Sequence, residues 1–127
     1  LSTNPHIDLL VDVHRDSVAS DPRGATTARI NGRIAGKIMF VVGSRHDNWR
    51  ENYQVALSLS SIIDTLYPGL SRGVKVYSVG TYNQELHPRA VLVEIGGDYN
   101  TLEEAVYGAE LFAEVLVRYL GEIANDQ

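Results

Sequence analysis

Strands alternating with helices predict an α/β fold, a mostly parallel sheet flanked by helices. Three observations carry that prediction. Two near-continuous apolar runs, Ile7–Val13 and Ala90–Val93, read as strands buried on both faces and lead into polar residues, His14-Arg15-Asp16 and Glu94-Ile95-Gly96-Gly97. Two amphipathic stretches, each opened by a capping residue with an acid three positions later, read as helices. The dipeptide Asn31-Gly32 marks a hairpin.

After the first strand, the polar stretch from Ser17 to Gly24 reads as a loop. Thr26–Ile30 and Arg33–Ala35 flank Asn31-Gly32, where a type I′ turn requires positive φ at both positions. Lys37–Val42 is a further buried strand, closed by Gly43. Asn48 and Glu51 predict a helix N-cap, with Tyr53, Ala56, Leu57, Ile63 and Tyr67 on one stripe, and Pro68-Gly69 stops that helix. Val74–Val79 reads as a strand, Tyr82–Leu86 as a loop and Ala90–Ile95 as a strand. Thr101 and Glu104 form a second capping box, and Leu102, Ala105, Val106, Ala109, Phe112, Ala113, Leu116 and Leu120 keep helical spacing.

With 127 residues and no repeat, linker or low-complexity tract, residues 1–127 read as a single domain. The first strand begins within a few residues of Leu1, which predicts a domain cut from a longer protein. A net charge of −5 without a basic run argues against nucleic acid as a partner. The absence of cysteine rules out disulfides, thiolate nucleophiles and sulfur-ligated zinc. No apolar run approaches the ~20 residues that span a bilayer, so no membrane anchor is read in this chain.

Ligands of open α/β sheets collect beyond the carboxyl ends of strands, which draws attention to His14 and Glu94. His14 is either a metal ligand, oriented by Asp12 or Asp16, or a hydrogen-bonded structural histidine. Glu94 interrupts an apolar strand; such a carboxylate is catalytic or else paired with Arg15, Arg72 or Arg89. Gly96-Gly97 lacks the spacing of a nucleotide fingerprint and reads as a tight passage into the last helix. Asn100 and Thr101 read as helix caps, His46 and His87 as solvated loop residues, and Trp49 as a hydrophobic staple. The Asn83-Gln84 amides are suited to reading peptide groups.

Asp12-Val13-His14-Arg15-Asp16, Met39–Gly43, Tyr67–Gly73, Tyr82–Leu86 and Glu94–Gly97 followed by Asn100–Glu104, taken in order, resemble the stage II sporulation protein P family of zinc-dependent N-acetylmuramoyl-L-alanine amidases. The resemblance runs from about Ile7 to about Leu120. It implies a peptidoglycan hydrolase that cuts the amide between the lactyl group of N-acetylmuramic acid and L-alanine, and that also cuts within the stem peptide. It further implies an extracytoplasmic location at the sporulation septum during engulfment, with a membrane anchor elsewhere in the parent protein, and a lytic transglycosylase as partner. Such amidases hold Zn2+ through two histidines and a glutamate, and a later glutamate activates water. By this resemblance His14 matches the last ligand and Glu94 the catalytic glutamate, while Arg15, Arg72, Asn83 and Gln84 are candidates for holding substrate carboxylates and amides. The family's His-Thr-His segment and ligand glutamate do not occur here. The chain therefore resembles the carboxyl-terminal part of an amidase-like catalytic domain lacking its first strand and helix, and little activity is expected of it alone. The alternative is a non-catalytic docking module for a cell-wall lytic partner. An absent strand would leave an open sheet edge, so self-association into a homo-oligomer is expected.

Overall fold

The computed structural model describes residues 6–17 and 24–126. Six strands, β1 (Leu10–Asp16), β2 (Thr27–Ile30), β3 (Arg33–Gly36), β4 (Ile38–Gly43), β5 (Ser71–Tyr77) and β6 (Ala90–Gly97), accompany two helices, α1 (Trp49–Leu66) and α2 (Leu102–Asn125), and a short 3-10 turn at Gln84–Leu86. The predicted loop after β1 falls largely outside the described residues. The main sheet has the order β1-β6-β4-β5, and β2 and β3 form a separate hairpin. β1 runs parallel to β6 and β4 parallel to β5, while β4 and β6 are antiparallel. The sheet is thus mixed but mostly parallel, as its long crossover connections require.

Both helices cover the same face of this sheet, a correction to the expected flanking arrangement. Phe40, Val42, Val91, Val93 and Ile95 project into one core together with Leu59 and Ile63 of α1 and Phe112 and Val115 of α2. The alternate residues Met39, Val41 and Leu92 form a smaller cluster on the opposite face, packed by Tyr82. β4 and β6 are the strands buried on both sides. β1 was expected to be buried in the same way, but it lies at the edge, and Val13 remains 61% exposed although its partner Val93 is in the core.

The hairpin turn forms as the sequence predicts, with φ of 53° at Asn31 and 80° at Gly32. Thr101 caps α2 in a complete box: its hydroxyl accepts from Glu104 N, and the Glu104 carboxylate accepts from Thr101 N. Asn48 precedes α1 without capping it through its side chain. Its Oδ1 instead meets His46 Nδ1 at 2.7 Å, and its amide is aimed at Gln84 O at 3.4 Å. The buried face of α2 also differs from the predicted stripe. Tyr107, Gly108, Leu111, Phe112, Val115 and Tyr119 face inward, whereas Leu102 and Val106 are exposed. α2 carries two apolar stripes, and the absence of a side chain at Gly108 decides between them. A Cβ there would stand 2.5 Å from Gly36 O, so only this face can approach the end of β3 so closely.

Among the described residues β1 has no strand on its outer side. An unpaired edge of this kind is a template for another chain. Sedimentation velocity is expected to show concentration-dependent dimers, and a single monomeric species over a wide concentration range would overturn that expectation.

Candidate functional site

The register of the sheet brings the candidate residues together. His14 is paired with Glu94 across β1 and β6, Asp12 with Leu92, and Glu94 with Met39 across β6 and β4. Paired residues share a face of a sheet, so Asp12, His14 and Glu94 all stand on the face the helices leave uncovered. His14 Nε2 lies 2.9 Å from Asp12 Oδ1, two residues back on the same strand. This contact orients the imidazole from within β1 itself.

Glu94 is placed by the strand that contains it. It lies within β6 rather than at its end, with buried residues on both sides, and its Oε2 is buried without a hydrogen-bond partner. None of the three pairings considered for it, with Arg15, Arg72 or Arg89, forms among the described residues. Arg72 Nη1 instead donates to Asp16 Oδ2 at 2.7 Å, and Arg15 Nη2 donates to Gly97 O at 2.8 Å and to Asn100 O. Arg89 is directed to the carbonyl of Asp8. Burial pushes the Glu94 carboxyl above the ordinary carboxylate range, and the Asp16 carboxylate pushes the same way. His14 and Arg72 oppose the shift, and Asp12 adds to it. A carboxyl so placed holds a proton more readily than an exposed one and has an unoccupied oxygen with which to take it.

The alignment of His14 with Glu94 depends on an irregularity just beyond them. Between His14 and Asp16 the register shifts, so that Asp16 pairs with Gly97 and β6 gains a residue. Gly96 takes a φ of 69° there and donates its N–H to Lys37 O at 2.8 Å. Asn100 pins the bulge: its Oδ1 accepts from Gly97 N at 2.7 Å, and its amide donates to Thr27 Oγ1 and Glu104 Oε1. Asn100 is therefore more than the cap the sequence suggested, and the Gly96-Gly97 pair serves the bulge before it serves the turn into α2.

The remaining candidates separate. Gln84 is buried and its amide is used by β4, donating to Val41 O at 2.8 Å and accepting from Gly43 N at 3.1 Å. It is a clip that fastens the 3-10 turn to the sheet, not an amide open to substrate. Asn83 is exposed at φ 62°, and Tyr82 before it also holds a positive φ of 53°. Nothing in the sequence marks a tyrosine for that conformation, although Asn83 beside it is a residue type that tolerates it. His46 and His87, expected in solvent, are part-buried; the ring of His87 meets Ile7 O at 2.8 Å and accepts from Arg89 N at 2.9 Å. Trp49 packs against the core beside Tyr53.

Among the described residues no group of three or more histidines and carboxylates is placed to hold a metal ion. A hydrolytic zinc takes about three protein ligands, and the one candidate among the described residues is the imidazole of His14. The described residues do not complete such a centre. No helix among them is long and apolar enough to cross a membrane.

The class of protein that this fold and site define is an α/β domain presenting a half-buried carboxylate, its Oε2 without a hydrogen-bond partner among the described residues, beside an imidazole–carboxylate pair. Comparison with known proteins gives the family. The family model of stage II sporulation protein P matches residues 1–117. Stage II sporulation protein P of Bacillus subtilis (strain 168) is 40% identical over 119 residues, which cover 91% of this chain and 29% of that protein. The chain belongs to the stage II sporulation protein P family. It spans less than a third of the length of that curated relative.

Two measurements follow from this geometry. Gln84→Leu strands the buried groups Val41 O and Gly43 N and is expected to cost about 2 kcal/mol or more in urea unfolding; a loss below about 0.5 kcal/mol, half a typical hydrogen bond, would show that the clip is not structural. For Glu94, a raised folded pKa means that the bound proton stabilises the fold. That contribution is complete below the unfolded pKa and is lost as pH rises through the raised folded value. Glu94→Gln is therefore expected to be more stable than the parent chain at pH 7 and to converge with it in acid, and a difference independent of pH would refute the shift.

Proposed function

We propose that this chain is the part of a peptidoglycan amidase that carries the water-activating carboxylate, and that Glu94 is that group. The substrate bond in this reading is the amide between the lactyl group of N-acetylmuramic acid and L-alanine of the stem peptide, with bonds inside the stem as further targets. The observation that supports it is the buried, partner-free Oε2 of Glu94, on one sheet face with the His14–Asp12 pair. A raised carboxyl pKa suits a group that must accept a proton from water and then release it to a leaving amine.

In this mechanism Glu94 takes a proton from water as the oxygen attacks the scissile carbonyl, then delivers it to the amine nitrogen as the C–N bond breaks. The same residue serves as base and then as acid, and its proton balance closes over one turnover. Asp12 holds the His14 ring in place, and the Arg72–Asp16 pair fixes the charge beside the base. Zn2+ is part of the proposal through His14 alone; a complete centre needs ligands from elsewhere in the longer family chain. The location proposed is outside the cytoplasmic membrane, at the sporulation septum.

A second reading, a module that docks a lytic transglycosylase, draws support from the incomplete ligand group and the open β1 edge. Product analysis separates the two. With zinc supplied and purified peptidoglycan as substrate, a family-length chain carrying these residues is expected to release stem peptides detectable by mass spectrometry. Glu94→Gln is expected to lower that release about 10²- to 10⁴-fold, the usual contribution of general acid–base catalysis, with zinc content unchanged. Release that survives the substitution at the parent rate would overturn the assignment of Glu94, and no release by either chain would favour the docking module.

A further inference from the structure

α2 keeps an apolar stripe that the fold does not use. Leu102, Val106, Ala109, Ala113, Leu116 and Leu120 recur at alternating spacings of four and three, the pattern of a coiled-coil seam. The core takes another face of the helix, so Leu102 remains 73% exposed, Val106, Ala109, Ala113 and Leu120 are exposed as well, and only Leu116 is half-buried. From Leu102 to Leu120 the stripe runs about 27 Å at ~1.5 Å per residue. Scattered apolar side chains on a surface are ordinary, but a continuous row marks an interaction site.

The sheet fixes where this stripe points. α1 lies over β4 and β5, and α2 lies over β6. Arg118 and Glu122 form an ion pair on the side of α2 that meets Leu57, Ser61 and Ile62 of α1. The stripe stands roughly half a turn round the helix from them, at ~3.6 residues per turn, so it looks away from α1 and out over β1. There Val13, on the helix-covered face of the sheet, is exposed too. The stripe as wall and Val13 on the floor form an open corner with the length of a helix.

Charge selects the occupant. Glu103, Glu110 and Glu114 follow the outer edge of the stripe, none of them in an ion pair among the described residues, while the inner edge, with Ala105 and Phe112, carries no charge. A second copy would bring only the same acids to this seam. A bilayer surface takes helices with basic rather than acidic edges. A helix leading into β1 from a strand outside it does not fill the corner either. The β4-α1-β5 connection is a crossover of the kind that is right-handed; the same step across the sheet from a strand parallel to β1, and so antiparallel to β4, places its helix on the other face. We infer that the corner between α2 and β1 receives an amphipathic helix of another protein, its apolar face on the stripe and its lysine or arginine residues along the edge formed by Glu103, Glu110 and Glu114. The apolar seam supplies the contact, and the acidic edge sets partner choice and orientation. This surface deepens the docking reading and stands whether or not Glu94 is catalytic.

The test is a titration of the isotope-labelled chain, followed by NMR, with two synthetic helical peptides that share a leucine heptad seam and carry lysine along one edge in the first and glutamate in the second. The lysine peptide is expected to shift the amide signals of Val106, Ala109 and Ala113 and to bind about tenfold tighter than the glutamate peptide at low salt, a preference that shrinks as salt is raised. Glu103→Lys combined with Glu110→Lys is expected to reverse the preference. Leu102→Glu, at an exposed position in the first turn where an acid suits the helix, is expected to weaken the lysine peptide about tenfold while circular dichroism shows the fold retained. Equal binding of the two peptides, shifts confined to another surface, or no binding would overturn the inference. So would loss of self-association in Leu102→Glu, which gives the face to a second copy, or binding to phosphatidylglycerol vesicles that Leu102→Glu abolishes, which gives it to lipid. Failure of the catalytic reading would appear elsewhere, as stem-peptide release insensitive to Glu94→Gln.

Discussion

The constraint on which the rest of the structure depends is the placement of an ionisable carboxyl inside one of the two strands that are buried on both faces. β6 is covered on both faces along most of its length, and Glu94 stands in its middle between hydrophobic neighbours. An apolar or amide side chain would avoid the cost of removing charge from water, and no cation among the described residues forms an ion pair with it. The guanidinium of Arg72, which favours ionisation of Glu94, is held by Asp16, which disfavours it. Burial and the Asp16 carboxylate both disfavour the charged form of this carboxyl, at the expense of stability when it is ionised.

Everything that aligns the site is anchored beyond Glu94 rather than on it. The bulge at Gly96, the pinning of Gly97 by Asn100 and the reach of Arg15 across to the carbonyls of Gly97 and Asn100 fasten the end of β1 to the start of α2. With that end fixed, parallel pairing brings His14 level with Glu94 without any bond between the two side chains. The contact of Gly108 with Gly36 then seats α2 on the hairpin and β6, so the helix that follows the site also supports it from the other face. Precision at the site therefore depends on two side chains, Asn100 and Arg15, that clasp backbone groups at the end of β6.

How much of this was legible in the sequence depended on how local the physics was. Asn31-Gly32 and the Thr101–Glu104 box are decided within a few residues, and both form as read. β4 and β6 were legible because burial on both faces leaves a continuous apolar run. β1 has a similar run, yet it lies at an edge; the number of neighbouring strands is a property of the whole sheet and leaves no trace in one segment. The same holds for α2, whose two apolar stripes look alike until Gly108 meets Gly36. Gln84 was misread because its amide found partners about 40 residues away in β4, and Asn48 because its Oδ1, the atom that would cap α1, meets the ring of His46. His14 and Glu94 were found as residues, but their sharing of a face follows from register, which only the paired strands define.

The proposed reading divides the chemistry between this chain and the rest of a family-length protein. A general base must be immobile and partly desolvated, and burial within a central strand provides both. A metal centre requires converging imidazoles and carboxylates, and one edge strand supplies His14 with Asp12 bound to its Nε2, leaving Nδ1 with no hydrogen bond among the described residues. Among the described residues β1 thus offers a ring held at one nitrogen and open at the other, on a strand whose outer side has no partner strand. A strand added there would stand opposite His14 on the side away from Glu94. In the proposed reading the imidazole then lies between the added residues and the Glu94 carboxyl, where a ligand shared by both parts of the domain is needed.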